Sequence, residues 1–179
     1  LAIACGDSAE TSTEPSTLAS PTPWPVTAFP DLPEIMNDVP DARIELGRLL
    51  FYDPVLSVDR QTPCATCHSE LWGMGDGIPR SIGHGAGLNA GPGRDGPNML
   101  RRNAPSLYNV AFRPRLLWDG RETVLEEQTL TPLFAEDEMS ADGETLLAEL
   151  ASIPEYAARF EDAFPEDPGV SIENLTAAL

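Results

Sequence analysis

A mainly α-helical domain, threaded by long Gly- and Pro-rich loops and preceded by a disordered tether, is the fold that the sequence predicts. Three observations carry this expectation. Apolar residues recur at helical spacing in several short segments, no stretch sustains strand alternation, and glycines crowd the stretch 73–103. There is no internal repeat. With 179 residues, 41% of them hydrophobic and three of them Trp, the chain has the material for a single packed core.

Along the chain, residues 1–5 read as the end of a lipoprotein signal peptide. Small and apolar residues lead into Cys5 as in a lipobox, where the cysteine is acylated and becomes the mature N-terminus. An ordinary signal-peptide tail and a chance cysteine are the rival readings. The charged part of a signal peptide is missing, so the sequence is expected to begin inside one. Residues 6–37 are rich in Ser, Thr, Pro and Glu, which cannot repay the entropy of ordering, and are expected to form a flexible linker with Trp24 and Phe29 as bulky exceptions. The folded domain is expected over 38–179. Its first helix has Pro40 in the first turn and Ile44, Leu46, Leu49 and Leu50 on an apolar face, ending before Asp53-Pro54. The stretch 73–103 is expected to be a long ordered loop, and loops of that length inside a compact domain are usually functional. Helices return at 123–130 and at 143–152, where Asp142 can cap and Leu146, Leu147 and Leu150 form a face. Further helices follow near 154–164 and from 171 onward, the last without a stop signal, so a continuation beyond Leu179 is expected.

The formal charge of -18 is uneven. The first 40 residues carry -6, residues 41–121 carry +2 and residues 122–179 carry -14. Most of this surface repels a polyanion, which argues against nucleic acid, and suits a basic protein partner or simple solubility. All positive charge is guanidinium, because no lysine occurs.

Three cysteines in an exported chain do not make a simple disulfide framework. Cys64-Ala65-Thr66-Cys67-His68 has a separate task for each chemical group: two thiols add across heme vinyl groups, and the adjacent imidazole reaches the iron. A structural zinc site would need about four ligands, and no second pair is present. A thioredoxin-like dithiol would need a βαβ context, and a plain disulfide would leave His68 a coincidence. The motif therefore points to covalent heme c in a cytochrome c-like domain. For the second axial position, His84 is the leading candidate, since His68 and His84 are the two histidines of the chain. Met74, Met99 and an open or water-bound position compete with it.

In one order along the chain stand Leu46-Gly47-Arg48-Leu49-Leu50-Phe51-Tyr52-Asp53, the Cys64 to His68 motif, Arg102-Asn103-Ala104-Pro105-Ser106-Leu107, Trp118-Asp119-Gly120-Arg121 and Glu127-Gln128. Together these resemble the bacterial diheme cytochrome c peroxidases and the related MauG enzymes, in the N-terminal, peroxidatic heme domain. The resemblance implies that His68 is the proximal ligand and His84 a distal ligand that leaves before peroxide binds. It also implies that Trp118 lies between two hemes, that Gln128 and Glu138 belong to the peroxide pocket, and that Asn103 binds a calcium ion between domains. A second heme domain would follow the present chain. Against these stand plainer readings: Trp118 as core, Gln128 as helix surface, and Glu138 as one acid among Glu136, Asp137 and Glu138. The stretch from His84 to Asn103 is longer than the family pattern, with Gly-rich material inserted.

The function this implies is reduction of hydrogen peroxide to water with electrons from a small cytochrome c or cupredoxin. The alternatives are a non-catalytic electron-transfer cytochrome and a MauG-like oxidase of a protein partner. Expected surroundings are the periplasmic or extracytoplasmic face, a membrane reached through the N-terminal lipid anchor, no nucleic acid, and, as an open option, a second copy of the chain in a homodimer.

Overall fold

The computed structural model describes residues 39–179. The readings made for Cys5, the linker, Trp24 and Phe29 lie outside the described residues. Six α-helices form the described part: α1 (Asp41–Tyr52), α2 (Cys64–Cys67), α3 (Leu125–Phe134), α4 (Gly143–Ser152), α5 (Pro154–Ala163) and α6 (Ile172–Ala178). Short 3-10 turns stand at Pro54–Leu56, Glu70–Trp72 and Val110–Phe112. Strand-like pairing among the described residues is confined to isolated bridges of Ser69 with Gly75, Ile82 with Met99 and Leu116 with Glu122. The mainly α expectation therefore holds. Among the described residues, no helix is long and apolar enough to cross a membrane.

Helix α1 starts after Pro40, whose fixed φ suits the entry to a helix, and ends where Asp53 turns to extended backbone ahead of Pro54. Its buried face is Leu46, Gly47 and Leu50. Ile44, expected on that face, is instead 55% exposed. The reason is angular: a narrow stripe packs against α5 and α6, and Gly47 lets α6 come so close that a Cβ there would collide with the Ala178 carbonyl.

Helix α3 runs further than the sequence suggests. It starts at Leu125 and continues to Phe134 with Pro132 inside it. Pro132 costs only the intrahelical donor to the Gln128 carbonyl, and the last carbonyls of the helix are taken up by the following turn, where Met139 N–H donates to Pro132 and Ala141 N–H to Leu133. Helix α4 has the predicted bounds, and the Asp142 carboxylate caps it by accepting from Thr145 N–H at 2.9 Å. Ser171 caps α6 in the same manner through Asn174 N–H.

The core joins Leu46 and Leu50 of α1, Val55 and Leu56, Leu133, Met139, Leu146 and Leu150 of α4, Tyr156 and Phe160 of α5, Phe164 and Leu175 of α6. Phe160 is fully enclosed and stacks on Phe164 with ring centroids 6.3 Å apart. The Tyr156 hydroxyl donates to Asp53 at 2.7 Å, tying α5 to the end of α1. This helical base carries the long segment between α2 and α3, which contains no α-helix. Phe160→Ala should lower the unfolding free energy by about 3–5 kcal/mol, the range for emptying a buried aromatic site. Ile44→Ala should change it by less than about 0.5 kcal/mol, as for an exposed position; urea denaturation of the heme-loaded protein measures both.

Candidate functional site

Helix α2 is a single turn, and it places Cys64 and Cys67 as free thiols on the same short element, with His68 as its C-cap. The His68 N–H of the backbone closes the turn onto the Cys64 carbonyl at 3.0 Å. The imidazole is held from the other side, with Nδ1 3.1 Å from the Met74 carbonyl. That bond favours Nδ1 as the protonated nitrogen and leaves Nε2 as the nitrogen with a lone pair to offer a metal. Met74 can present its carbonyl there because it takes a left-handed conformation, φ 57°, after the left-handed Gly73. Burial pushes the His68 pKa down, opposed by the Met74 and Pro105 carbonyls and by the charge of Asp76, and a neutral imidazole is the form a metal needs. Burial pushes the Cys64 thiol up to about 12, and also raises Cys67 despite the Arg94 guanidinium beside it.

Two thiols and one neutral imidazole on adjacent positions are a donor set that fits covalent heme: thioether formation removes both titrating protons and leaves His68 to the iron. The buried Thr66 Oγ1, between the cysteines, has no hydrogen-bond partner.

Opposite α2 in sequence, the 73–103 loop is tied down by Asp76, which is 1% exposed. Its carboxylate accepts from the Ser81 hydroxyl and from the backbone of Ile78 and Ala104. Ser81 in turn exchanges backbone bonds with Arg102 and Leu100. This fixes Ile82-Gly83-His84 next to the heme-attachment turn, with Cys67 Sγ 3.9 Å from the Ile82 carbonyl. Gly83 is pressed against the backbone of Asp137 and Glu138, where a Cβ would collide with both carbonyls, and His84 N–H donates to the Glu138 carbonyl at 2.7 Å. His84 and Glu138, 54 residues apart in sequence, are thus direct backbone neighbours.

The His84 ring is engaged by protein. Nε2 lies 2.9 Å from Asn98 Nδ2 and 3.2 Å from the Glu136 carbonyl. Next to it, Gly85 N–H donates to Asp59 at 2.6 Å. Although burial opposes it, donors from Gly85, Gln61, Ser57 and Thr62 hold the Asp59 carboxyl below its usual value. Glu138 is half-buried, and burial, then the negative charge of Asp137, raise its pKa, with Arg121 opposing. Its charge also reaches Cys67, where it disfavours the thiolate. Glu136 is exposed.

The remaining sequence candidates stand apart from that pair. Gln128 is half-buried on the first turns of α3, whose end leads through Ala135 into the Glu138 turn. Trp118 is 58% exposed, so the reading as core does not hold, and its indole N–H donates to the Asn103 carbonyl at 2.8 Å. Asn103 is exposed, in a hollow shared with Arg101, Arg102 and Trp118. Of the methionines, Met99 is 49% exposed and Met74 lines a groove between α1 and α6. Asp76, Asn98 and Arg94 were not legible as site residues in the sequence; the flanking glycines of Asp76 were the one local signal for any of them.

The fold and this donor set are those of a c-type cytochrome domain, a helical scaffold around a Cys-x-x-Cys-His turn. The chain belongs to the diheme cytochrome c peroxidase family, whose model, described as di-haem cytochrome c peroxidase, matches residues 41–179. It is 35% identical over 165 residues to cytochrome c551 peroxidase of Pseudomonas aeruginosa, covering 92% of this chain and 43% of that protein. It is 34% identical over 143 residues to the methylamine utilization protein MauG of Methylorubrum extorquens, covering 80% and 37%. Among solved structures it is similar to a MauG-like protein associated with microbial copper homeostasis, at 31% identity and a TM-score of 0.68 over 84% of this chain and 43% of that one. The chain thus spans about two fifths of the length of the curated relatives it matches. Membership of this family implies heme c.

Replacing Cys64 and Cys67 by Ala together should abolish covalent heme, read as loss of the heme-stained band on a denaturing gel after expression in a host competent for c-type maturation. Stoichiometric zinc without heme in the wild type would sink the assignment.

Proposed function

We propose that this chain is the peroxidatic heme domain of an enzyme that reduces hydrogen peroxide to two waters, using two protons and two electrons from a small cytochrome c or cupredoxin. The observation that carries the reading is the backbone junction of His84 with Glu138 beside the Cys67 turn. It brings a releasable imidazole and a carboxylate of raised pKa to one place. When bound, the heme supplies the iron centre and electron capacity for cleaving a peroxide O–O bond. His68 would hold it through Nε2, with the tautomer fixed by the Met74 carbonyl. The Glu138 carboxylate takes the proton from one peroxide oxygen and returns it to the other, a general acid-base task suited to a group that is half-buried. Gln128 hydrogen-bonds the substrate and orients it. Trp118, at the exposed surface, passes electrons from the second heme domain.

His84 would serve as the distal ligand of the resting protein, and Asn98 and the Glu136 carbonyl are the groups that would hold its ring on release. Asn103 offers calcium one side-chain oxygen, so its other ligands come from carbonyls, water or the second domain. The domain division follows the sequence: signal-peptide end at 1–5 with acylated Cys5, linker at 6–37, heme domain from 38, on the periplasmic or extracytoplasmic side.

The resting ferric protein should be low-spin and should turn high-spin in His84→Gly; an unchanged absorption or paramagnetic resonance spectrum would remove His84 from the iron.

In the full-length protein, Glu138→Gln should lower peroxide turnover by about 10²-fold or more, the usual cost of losing a general acid-base group. Glu136→Gln, at an exposed neighbour, should stay near wild type. The pH profile supplies a second reading. A base with its pKa raised by burial is lost as pH falls through that raised value, so wild-type turnover should decline at a pH above the ordinary carboxylate range. Glu138→Gln should lack this limb. Equal rates for both variants would favour a plain electron carrier.

A further inference from the structure

We infer that Arg94, carried in by the Gly-rich loop, is a positioning residue whose buried guanidinium sets the reduction potential of the heme held by His68. The inference rests on the heme reading above, and it does not require peroxide as the substrate. Arg94 is 8% exposed in a stretch whose neighbours Pro92, Gly93 and Asp95 are exposed, so this one side chain turns inward. Its Nη1 donates toward Cys67 Sγ at 3.5 Å, and its Nη2 donates to the Gly83 carbonyl at 3.2 Å. Nε is buried without a partner. Among the described residues, Arg94 forms no ion pair with a carboxylate, unlike Arg48, Arg60, Arg102, Arg121 and Arg159.

A guanidinium is always charged, and burial without a partner is costly unless its charge is used. The two contacts identify the use. One falls on the sulfur that becomes a heme thioether, and the other on the residue before His84. The loop is seated independently: Gly91 and Gly77, both left-handed, lie against the Trp72 indole, where a Cβ on either would collide with the ring. Trp72 follows His68 by four residues, so the loop is anchored beside the C-terminal end of the Cys64–Cys67 turn. A cation at the heme edge, in surroundings that screen it poorly, favours the iron state that holds one more electron. Arg94 therefore favours the ferrous form.

The test is potentiometric titration of the full-length, heme-loaded protein, after quantifying covalent heme. Arg94→Gln should shift the ferrous-to-ferric ratio of this heme about tenfold toward ferric at fixed ambient potential, a fall of about 59 mV for a one-electron couple. Arg94→Lys keeps the charge but not the fork, and should hold the potential close to wild type. Equal loss in both variants would mean that Arg94 is only a tether, and no change in either would overturn the inference. Should Arg94→Gln fail to take up heme, Gly91→Ala decides. It unseats the loop from Trp72 without altering any charge, so the potential should fall in the same direction, and an unchanged potential overturns the proposal. Absence of covalent heme from the wild type would overturn the heme reading and this inference with it, whereas heme without peroxide turnover would leave the inference standing.

Discussion

The close backbone approach of Gly83 to Asp137 and Glu138 is the constraint on which the site's geometry depends. Two chain segments meet there with no side chain between them, and a single 2.7 Å bond from His84 N–H to the Glu138 carbonyl locks their register. Each segment is braced from behind. The Asp76 carboxylate and the Ile82–Met99 bridge hold the first, and the end of α3, with its proline, holds the second. Had Gly83 carried a Cβ, the Asp137–Glu138 turn would have to retreat from the attachment turn, taking the carboxylate with it.

The electrostatics follow from the same enclosure. Burial disfavours charge on whatever it surrounds, and the groups respond in opposite senses: His68 is driven toward its neutral form, while Glu138 is driven to keep its proton at higher pH. The Asp76 carboxylate, just as enclosed, is met by one hydroxyl and two backbone donors. Arg94 cannot shed its charge at all. Glu138 thus keeps its proton to higher pH on one side, while beside the Cys64–Cys67 turn stand a guanidinium and an imidazole favoured neutral.

How much of this was legible in the sequence depended on whether the signal was local. The Cys64 to His68 turn, the Asp142 cap and the bounds of α4 are set by residues within a few positions of one another, and the structure has them as read. Ile44 failed because the helical period marks a face but not how wide a stripe a neighbour will cover. The end of α3 was missed because Pro132 reads as a breaker, and the carbonyls at the helix end find donors only once the Met139 turn folds back. Arg94 and Asn98 lie in a loop whose composition announces irregular backbone and nothing else. Their partners, Cys67, Gly83 and His84, are named only by the folded chain.

Trp118 is where local conformation and exposure make sense together. The Leu116–Glu122 bridge closes its loop, and Asp119 is held between Arg102 at 3.0 Å and Arg121 at 2.8 Å. Leu117 and Gly120 on either side are both left-handed, with φ 64° and 68°. For Leu117 this costs about 1–2 kcal/mol, which glycine would have spared. That strain, with the bond from the indole to the Asn103 carbonyl, fixes a large aromatic ring outward rather than letting it fold onto the core. The result is a rigidly presented, half-exposed indole next to the guanidiniums of Arg101 and Arg102. The role proposed for Trp118 between two hemes needs such a surface, because an electron-transfer contact must keep its geometry on the side that faces the second domain.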